Sequence, residues 1–112
     1  MGEQFLGHEK TMQALPFASP FAGGVGGTRA ELCGALTGGL MVIGGLHGRE
    51  DGPTPDQECQ DLAAKYRADF LQEFGWLKCG ELREHWIGNA GQETCRLLVE
   101  RAASLLIRNL DS

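Results

Sequence analysis

Residues 28–48 read TRAELCGALTGGLMVIGGLHG, and the interpretation of this stretch decides the fold. Leu32 to Leu46 is an apolar run, yet it holds five glycines. It is shorter than the roughly 20 apolar residues of a membrane span, so it reads as a buried helix of a globular protein. Thr28 and Glu31 stand at capping-box spacing, which predicts a helix starting at Arg29 and ending near Gly44, Gly45 or Gly48. Ala30, Gly34 and Gly38 fall four residues apart and share one face of that helix. An interior glycine costs about 1 kcal/mol relative to alanine. That face therefore needs either a close helix partner or a ligand, and close packing is the commoner use of small residues at this spacing.

Outward from this segment the pattern stays helical. On the N-terminal side, Gly23-Gly24-Val25-Gly26-Gly27 forms no regular element and reads as a positive-φ loop. Phe17, Pro20 and Phe21 mark a turn before it, and a weak helix covers His8 to Leu15, closed by Pro16. On the C-terminal side, Arg49 to Pro53 is a polar linker. Thr54-Pro55-Asp56-Gln57 then gives a second start, with Thr54 as cap and Pro55 at the first helical position. Leu62, Tyr66, Phe70 and Phe74 follow at helical spacing until Gly75 ends the helix. A shorter helix is expected over Cys79 to Trp86, and Gly88 to Gly91 makes a turn. The last helix, Gln92 to Leu110, carries Cys95, Leu98, Val99, Ala102, Leu105, Leu106 and Leu110 as its apolar stripe. No run alternates with period two. The expectation is one all-α domain over residues 1–112, a bundle of four to five helices with a glycine-rich loop before the central one.

The hydrophobic fraction of 42% and charged fraction of 22% argue against disorder. A formal net charge of −5 disfavours nucleic acid and anionic membranes as partners. No basic segment followed by an apolar stretch and a cleavage site opens the chain, so a cytoplasmic location is expected. Cysteines there are normally reduced. They then serve packing, metal binding or redox chemistry.

The cysteines are Cys33, Cys59, Cys79 and Cys95. No Cys-x-x-Cys pair exists, so neither a thioredoxin-type motif nor a zinc knuckle is present. Cys33 and Cys95 are expected on core-facing positions of long helices, with Cys79 at the start of a short one. A bundle can gather such residues without any local motif. Gathered thiolates suit zinc or an iron–sulfur cluster, since soft ligands favour both. Two of them could instead form a reversible disulfide, or all could simply pack as small hydrophobes. The loop glycines Gly23, Gly24, Gly26 and Gly27, with Gly34 and Gly38, form a candidate anion or cofactor site at a helix N-terminus. No strand precedes that loop and no lysine stands in the Walker position. His8, His47 and His85 read as surface residues, the latter two being candidates to join a metal site. No Ser/His/Asp grouping supports hydrolysis.

The run Phe21 to Gly27, then Leu32-Cys33-Gly34-Ala35-Leu36-Thr37-Gly38, then Met41 to Gly48 resembles the core of the redox-active proteins labelled C_GCAxxG_C_C, which also resemble part of the split-Soret cytochromes. Phe74-Gly75, Cys79, Glu81-Leu82 and later Cys95 resemble that family's third and fourth cysteine segments. The resemblance implies an all-helical fold and a redox or metal-linked role for Cys33, Cys79 and Cys95. Three departures accompany it. No cysteine precedes Cys33, as though the family's leading helix were shortened or missing; Cys59 has no placed counterpart; and the central motif here reads Cys-Gly-Ala. Apolar surface left by a missing helix would be covered by a second copy, which points to a homodimer. The leading expectation is a redox-active protein whose cysteines exchange disulfides with a redox partner protein or hold an iron–sulfur cluster or another thiophilic metal. The alternative is a non-enzymatic helical dimerisation module whose cysteines only pack.

Overall fold

Tyr66, Phe70 and Phe74 recur every fourth residue and are all buried, forming one apolar ridge on an otherwise charged helix. In the computed structural model, which describes residues 6–49, 51–52, 55–87 and 95–111, this ridge lies at the centre of an all-α bundle. The elements are α1 (His8–Ala18), a 3-10 turn (Ser19–Phe21), α2 (Gly34–His47), α3 (Gln57–Phe74), α4 (Cys79–His85) and α5 (Cys95–Asp111). Helices α2, α3 and α5 pack pairwise against one another, and α4 adds Leu82 and Trp86 to the same core. The only strand-like pairing among the described residues is an isolated bridge between Leu32 and Lys78. No helix among them is long and apolar enough to cross a membrane.

The three long helices meet at Tyr66. Its ring sits where a side chain on Gly39 would otherwise be: a Cβ there would lie 2.5–2.7 Å from the ring carbon and oxygen atoms. The Tyr66 hydroxyl lies 3.3 Å from the Ala35 carbonyl on α2 and 3.4 Å from the Ala102 carbonyl on α5, so one phenol donates toward both neighbouring backbones. Phe70 stands edge-on to Tyr66, Phe74 packs on Phe70 with centroids 4.5 Å apart, and Trp86 stands edge-on to Phe74. Full burial of each such ring contributes on the order of 2–3 kcal/mol. Arg101 closes the end of this ladder, 5.6 Å over the Trp86 ring.

Several boundaries differ from the sequence expectation. Helix α2 begins at Gly34 rather than Arg29, because Arg29 is left-handed (φ +62°) and residues 29–33 bond to another segment of backbone. The Thr28 hydroxyl accepts from the Ala30 amide at 3.3 Å, a local turn instead of a helix cap. Pro16 lies inside α1, which runs on to Ala18. That helix buries none of its residues, so the carbonyl left without a donor by Pro16 is within reach of water. Helix α3 begins at Gln57 with Asp56 at the cap position; the expected cap, Thr54, lies outside the described residues, as do the expected turn at 88–91 and residues 92–94 of the last helix. Gly75 ends α3 in the left-handed conformation, as its position predicts. The small-residue face at Gly34 and Gly38 does not receive a tightly packed helix. Nothing lies within 4 Å of a Cβ placed on Gly38, and the close approach falls on Gly39 one position along. Gly38 lines instead an apolar groove of about 260 Å³ between α1 and α2, near which Leu15 and Phe17 are exposed.

These contacts separate two neighbouring glycines. Gly39→Ala overpacks the Tyr66 seat and should lower unfolding stability by about 1–3 kcal/mol. Gly38→Ala meets open space and should be neutral or stabilising by up to about 1 kcal/mol. Urea denaturation of the two variants checks both; equal costs would contradict the assigned seat.

Candidate functional site

Residues 29–33 and 77–80 run antiparallel and lock together through backbone. The Cys33 amide donates to the Leu77 carbonyl at 2.8 Å, the Cys79 amide to Glu31 at 2.9 Å, and the Gly80 amide to Arg29 at 2.8 Å. Leu32 and Lys78 are the paired residues between these bonds. Side chains alternate across such a pairing, so Cys33 and Cys79, each one residue beyond it, project to the same side as diagonal neighbours. Gly24 presses onto the back of this arrangement. A Cβ on it would lie 2.5 Å from the Cys79 Cβ and 3.0 Å from the Glu31 carbonyl, and its φ of +66° suits glycine.

Cys95, the first described residue of α5, faces the same place. Cys33, Cys79 and Cys95 line one pocket of about 270 Å³, with Leu82 and Leu98 among its apolar walls and Arg83 as its one charged side chain among the described residues. The three thiols thus come from three elements: the residue capping α2, the start of α4 and the start of α5. Their exposures differ, with Cys79 buried, Cys33 intermediate and Cys95 exposed, and no cysteine is in a disulfide. This corrects two expectations. Cys33 precedes its helix instead of lying in the second turn, because α2 starts late; and Cys95 is exposed instead of core-facing, since the buried stripe of α5 begins at Leu98. Cys59, on α3, packs against the core and does not line the pocket.

The other candidates from the sequence lie elsewhere or do other work. Gly23 and Gly34 line the thiol pocket; Gly38 does not. The amides of Val25, Gly26, Gly27, Thr28 and Arg29 donate to carbonyls of residues 20–25. Those N–H groups are engaged at home, so the loop is a folded support under Cys79 and does not present the open donor row of an anion site. His47 lies 3.7 Å from a Glu58 oxygen, and His85 stacks on Trp76 with centroids 4.6 Å apart. Neither lines the thiol pocket. Among the described residues no three His, Cys, Asp or Glu side chains are grouped as a metal ion requires.

Electrostatics ranks the groups in the pocket. Burial pushes the Cys33 thiol above its ordinary value of 9.0; the amides of Ala35 and Leu36 pull it down, and the neighbouring Cys79 and Cys95 push it further up. Arg83 lines the same pocket, and the neighbouring Cys79 sulfur first, then the charge of Cys95, holds its guanidinium above its ordinary range. Burial likewise raises the Tyr66 phenol, with a smaller contribution from Cys33. Arg83 is not among the candidates named from the sequence, though it stands four residues after Cys79 on a predicted helix and therefore on the same face.

A helical bundle with three free thiols and a guanidinium around one small pocket is, as a class, a thiol-bearing all-α protein. The family model described as "Putative redox-active protein (C_GCAxxG_C_C)" matches residues 1–108, and the chain belongs to that family. Comparisons with curated proteins and with solved structures gave no match.

Two measurements follow from this geometry. The raised Cys33 thiol should alkylate with iodoacetamide only at higher pH in the folded protein than in the urea-unfolded protein, as peptide mass mapping across a pH series would report. Its linkage has a definite sign. The contribution of neutral Cys33 to stability is complete below the ordinary thiol value of 9.0 and is lost as pH rises through its higher folded value. Gly24→Ala should cost about 2–4 kcal/mol, from a left-handed backbone plus overpacking against Cys79. Thermal melts check it, and an unchanged melting temperature would dismiss the support role of the loop.

Proposed function

We propose that this protein carries out reversible thiol–disulfide exchange, with Cys95 as the attacking thiol and Cys79 as its internal partner. The observation that carries the reading is that three free cysteines from separate elements line one pocket beside a guanidinium. Exposure assigns the order. A disulfide arriving from solution meets Cys95 first, because Cys79 is buried. The Cys95 thiolate attacks one sulfur of the partner disulfide, forming a mixed disulfide and releasing the other half as a thiolate. The Cys79 sulfur then attacks the Cys95 sulfur, closing a Cys79–Cys95 disulfide and releasing the second thiolate. The two protons leave to solvent, and two electrons pass from the protein dithiol to the partner disulfide. Burial raises the Cys33 thiol above its ordinary value, which disfavours it as the attacking group at neutral pH.

One observation favours this over pure packing, which does not account for an exposed Cys95 facing the same pocket as Cys33 and Cys79.

The test equilibrates the protein with graded ratios of reduced and oxidised dithiothreitol and counts free thiols, with disulfides located by mass mapping. Two thiols should disappear together, those of Cys79 and Cys95. Either Cys79→Ser or Cys95→Ser should abolish that paired loss, while Cys59→Ser should leave it intact. Four thiols persisting in excess oxidant would overturn the proposal. So would stoichiometric iron or zinc in protein prepared without oxygen that is lost in Cys33→Ser.

A further inference from the structure

The thiol pocket has a chemistry that narrows what can enter it. Its lining holds three sulfurs, apolar walls and small backbone-presenting residues, and among the described residues Arg83 is the only charged group and no carboxylate is present. Four other cations are held by partners elsewhere: Arg49 lies 3.3 Å from Asp56, Lys65 2.7 Å from Asp69, Arg96 3.2 Å from Glu100, and Arg101 lies over Trp86; Arg29 and Lys78, though near in the fold, do not line the pocket. Arg83 has no carboxylate within ion-pair distance among the described residues, and the groups acting on it are the three pocket thiols. Its guanidinium carries five N–H donors in a planar fork, and one edge of that fork can grip a carboxylate with two parallel bonds.

We propose that the pocket binds a small disulfide carrying a carboxylate, and that Arg83 is the residue that selects it. The inference rests on the exchange reading and adds the substrate class to it. Volume sets the size. About 270 Å³ lies at the small end of ligand pockets, enough for a low-molecular-weight disulfide and not for a folded protein surface. The charge argument runs against the bulk of the molecule, since a net charge of −5 repels anions. A preference for an anionic disulfide must therefore originate in a local cation, and Arg83 is the cation at the thiols. With its carboxylate on Arg83, a bound disulfide is tethered over the cluster and presents a sulfur to Cys95. The bonds made and broken are those of the exchange described above, and the disulfide itself is the oxidant.

The experiment measures the rate of thiol loss with three small disulfides: dithiodipropionate (dianionic), hydroxyethyl disulfide (neutral) and cystamine (dicationic). Each rate is divided by the rate of the same reagent with the urea-unfolded protein, which removes intrinsic reactivity. Folded wild type should prefer dithiodipropionate over cystamine by about tenfold, the ratio expected of one partly exposed ion pair of good geometry. Added salt should shrink the ratio. Arg83→Gln should erase the preference, Arg83→Glu should reverse it toward cystamine, and Arg83→Lys should restore part of it, each with an unchanged helical circular dichroism spectrum. Exchange at equal normalised rates with all three reagents, or a preference that survives Arg83→Gln, would overturn this inference and leave the exchange reading standing. No exchange with any of the three would remove both.

Discussion

The bundle depends on one joint, the seating of the Tyr66 ring in the gap left by Gly39. A tyrosine is too large to lie between two helices at close approach unless one of them gives up a side chain, and Gly39 does so. The same phenol reaches backbone carbonyls on α2 and α5, so a single residue of α3 sets the spacing and rotation of all three long helices. Ala35 and Ala102, the two acceptors, lie close to Cys33 and two turns after Cys95 respectively. The joint that organises the core therefore also brings two of the three thiols to the same end of the bundle.

The third thiol is placed by backbone rather than by side-chain packing. Three hydrogen bonds between residues 29–33 and 77–80 fix Cys79 beside Cys33. They also keep α2 from starting at its sequence signal. A capping box offers a few local bonds to its own helix; the competing pairing satisfies the same backbone groups with a distant segment and buries Gly24 against Cys79. The glycine loop then has a structural purpose. Its folded turns bring Gly24 against the Cys79 Cβ, where only a residue lacking a side chain fits. A loop that reads in sequence as an anion cradle serves as the floor under a cysteine.

Charge and burial make the three thiols unequal. Cys33 is raised by its burial, Cys95 is the most accessible and Cys79 is the buried one, and Arg83 lines the pocket they share. A cluster whose members differ in this way suits a relay of attack and resolution better than equivalent ligation of one ion. The walls around it are largely apolar, and Arg83 is the charged side chain among the described residues that line it.

Sequence by itself determined the helical class, the ridge Tyr66-Phe70-Phe74, the stop at Gly75 and the short helix beginning at Cys79, because periodicity and terminal residues act through local geometry. The resemblance carried by the Cys-Gly-Ala-x-x-Gly stretch also marked the cysteines that share the pocket, and it separated them from Cys59. Tertiary structure alone decided the start of α2 and the choice of Gly39 over Gly38 as the packing notch, and it set the exposure of Cys95. The first two rest on contacts between segments dozens of residues apart, as with Cys33 and Leu77 or Gly39 and Tyr66. Local signals such as a capping box or a small-residue face are worth only about 1 kcal/mol each, and several long-range hydrogen bonds with a buried aromatic ring outweigh them.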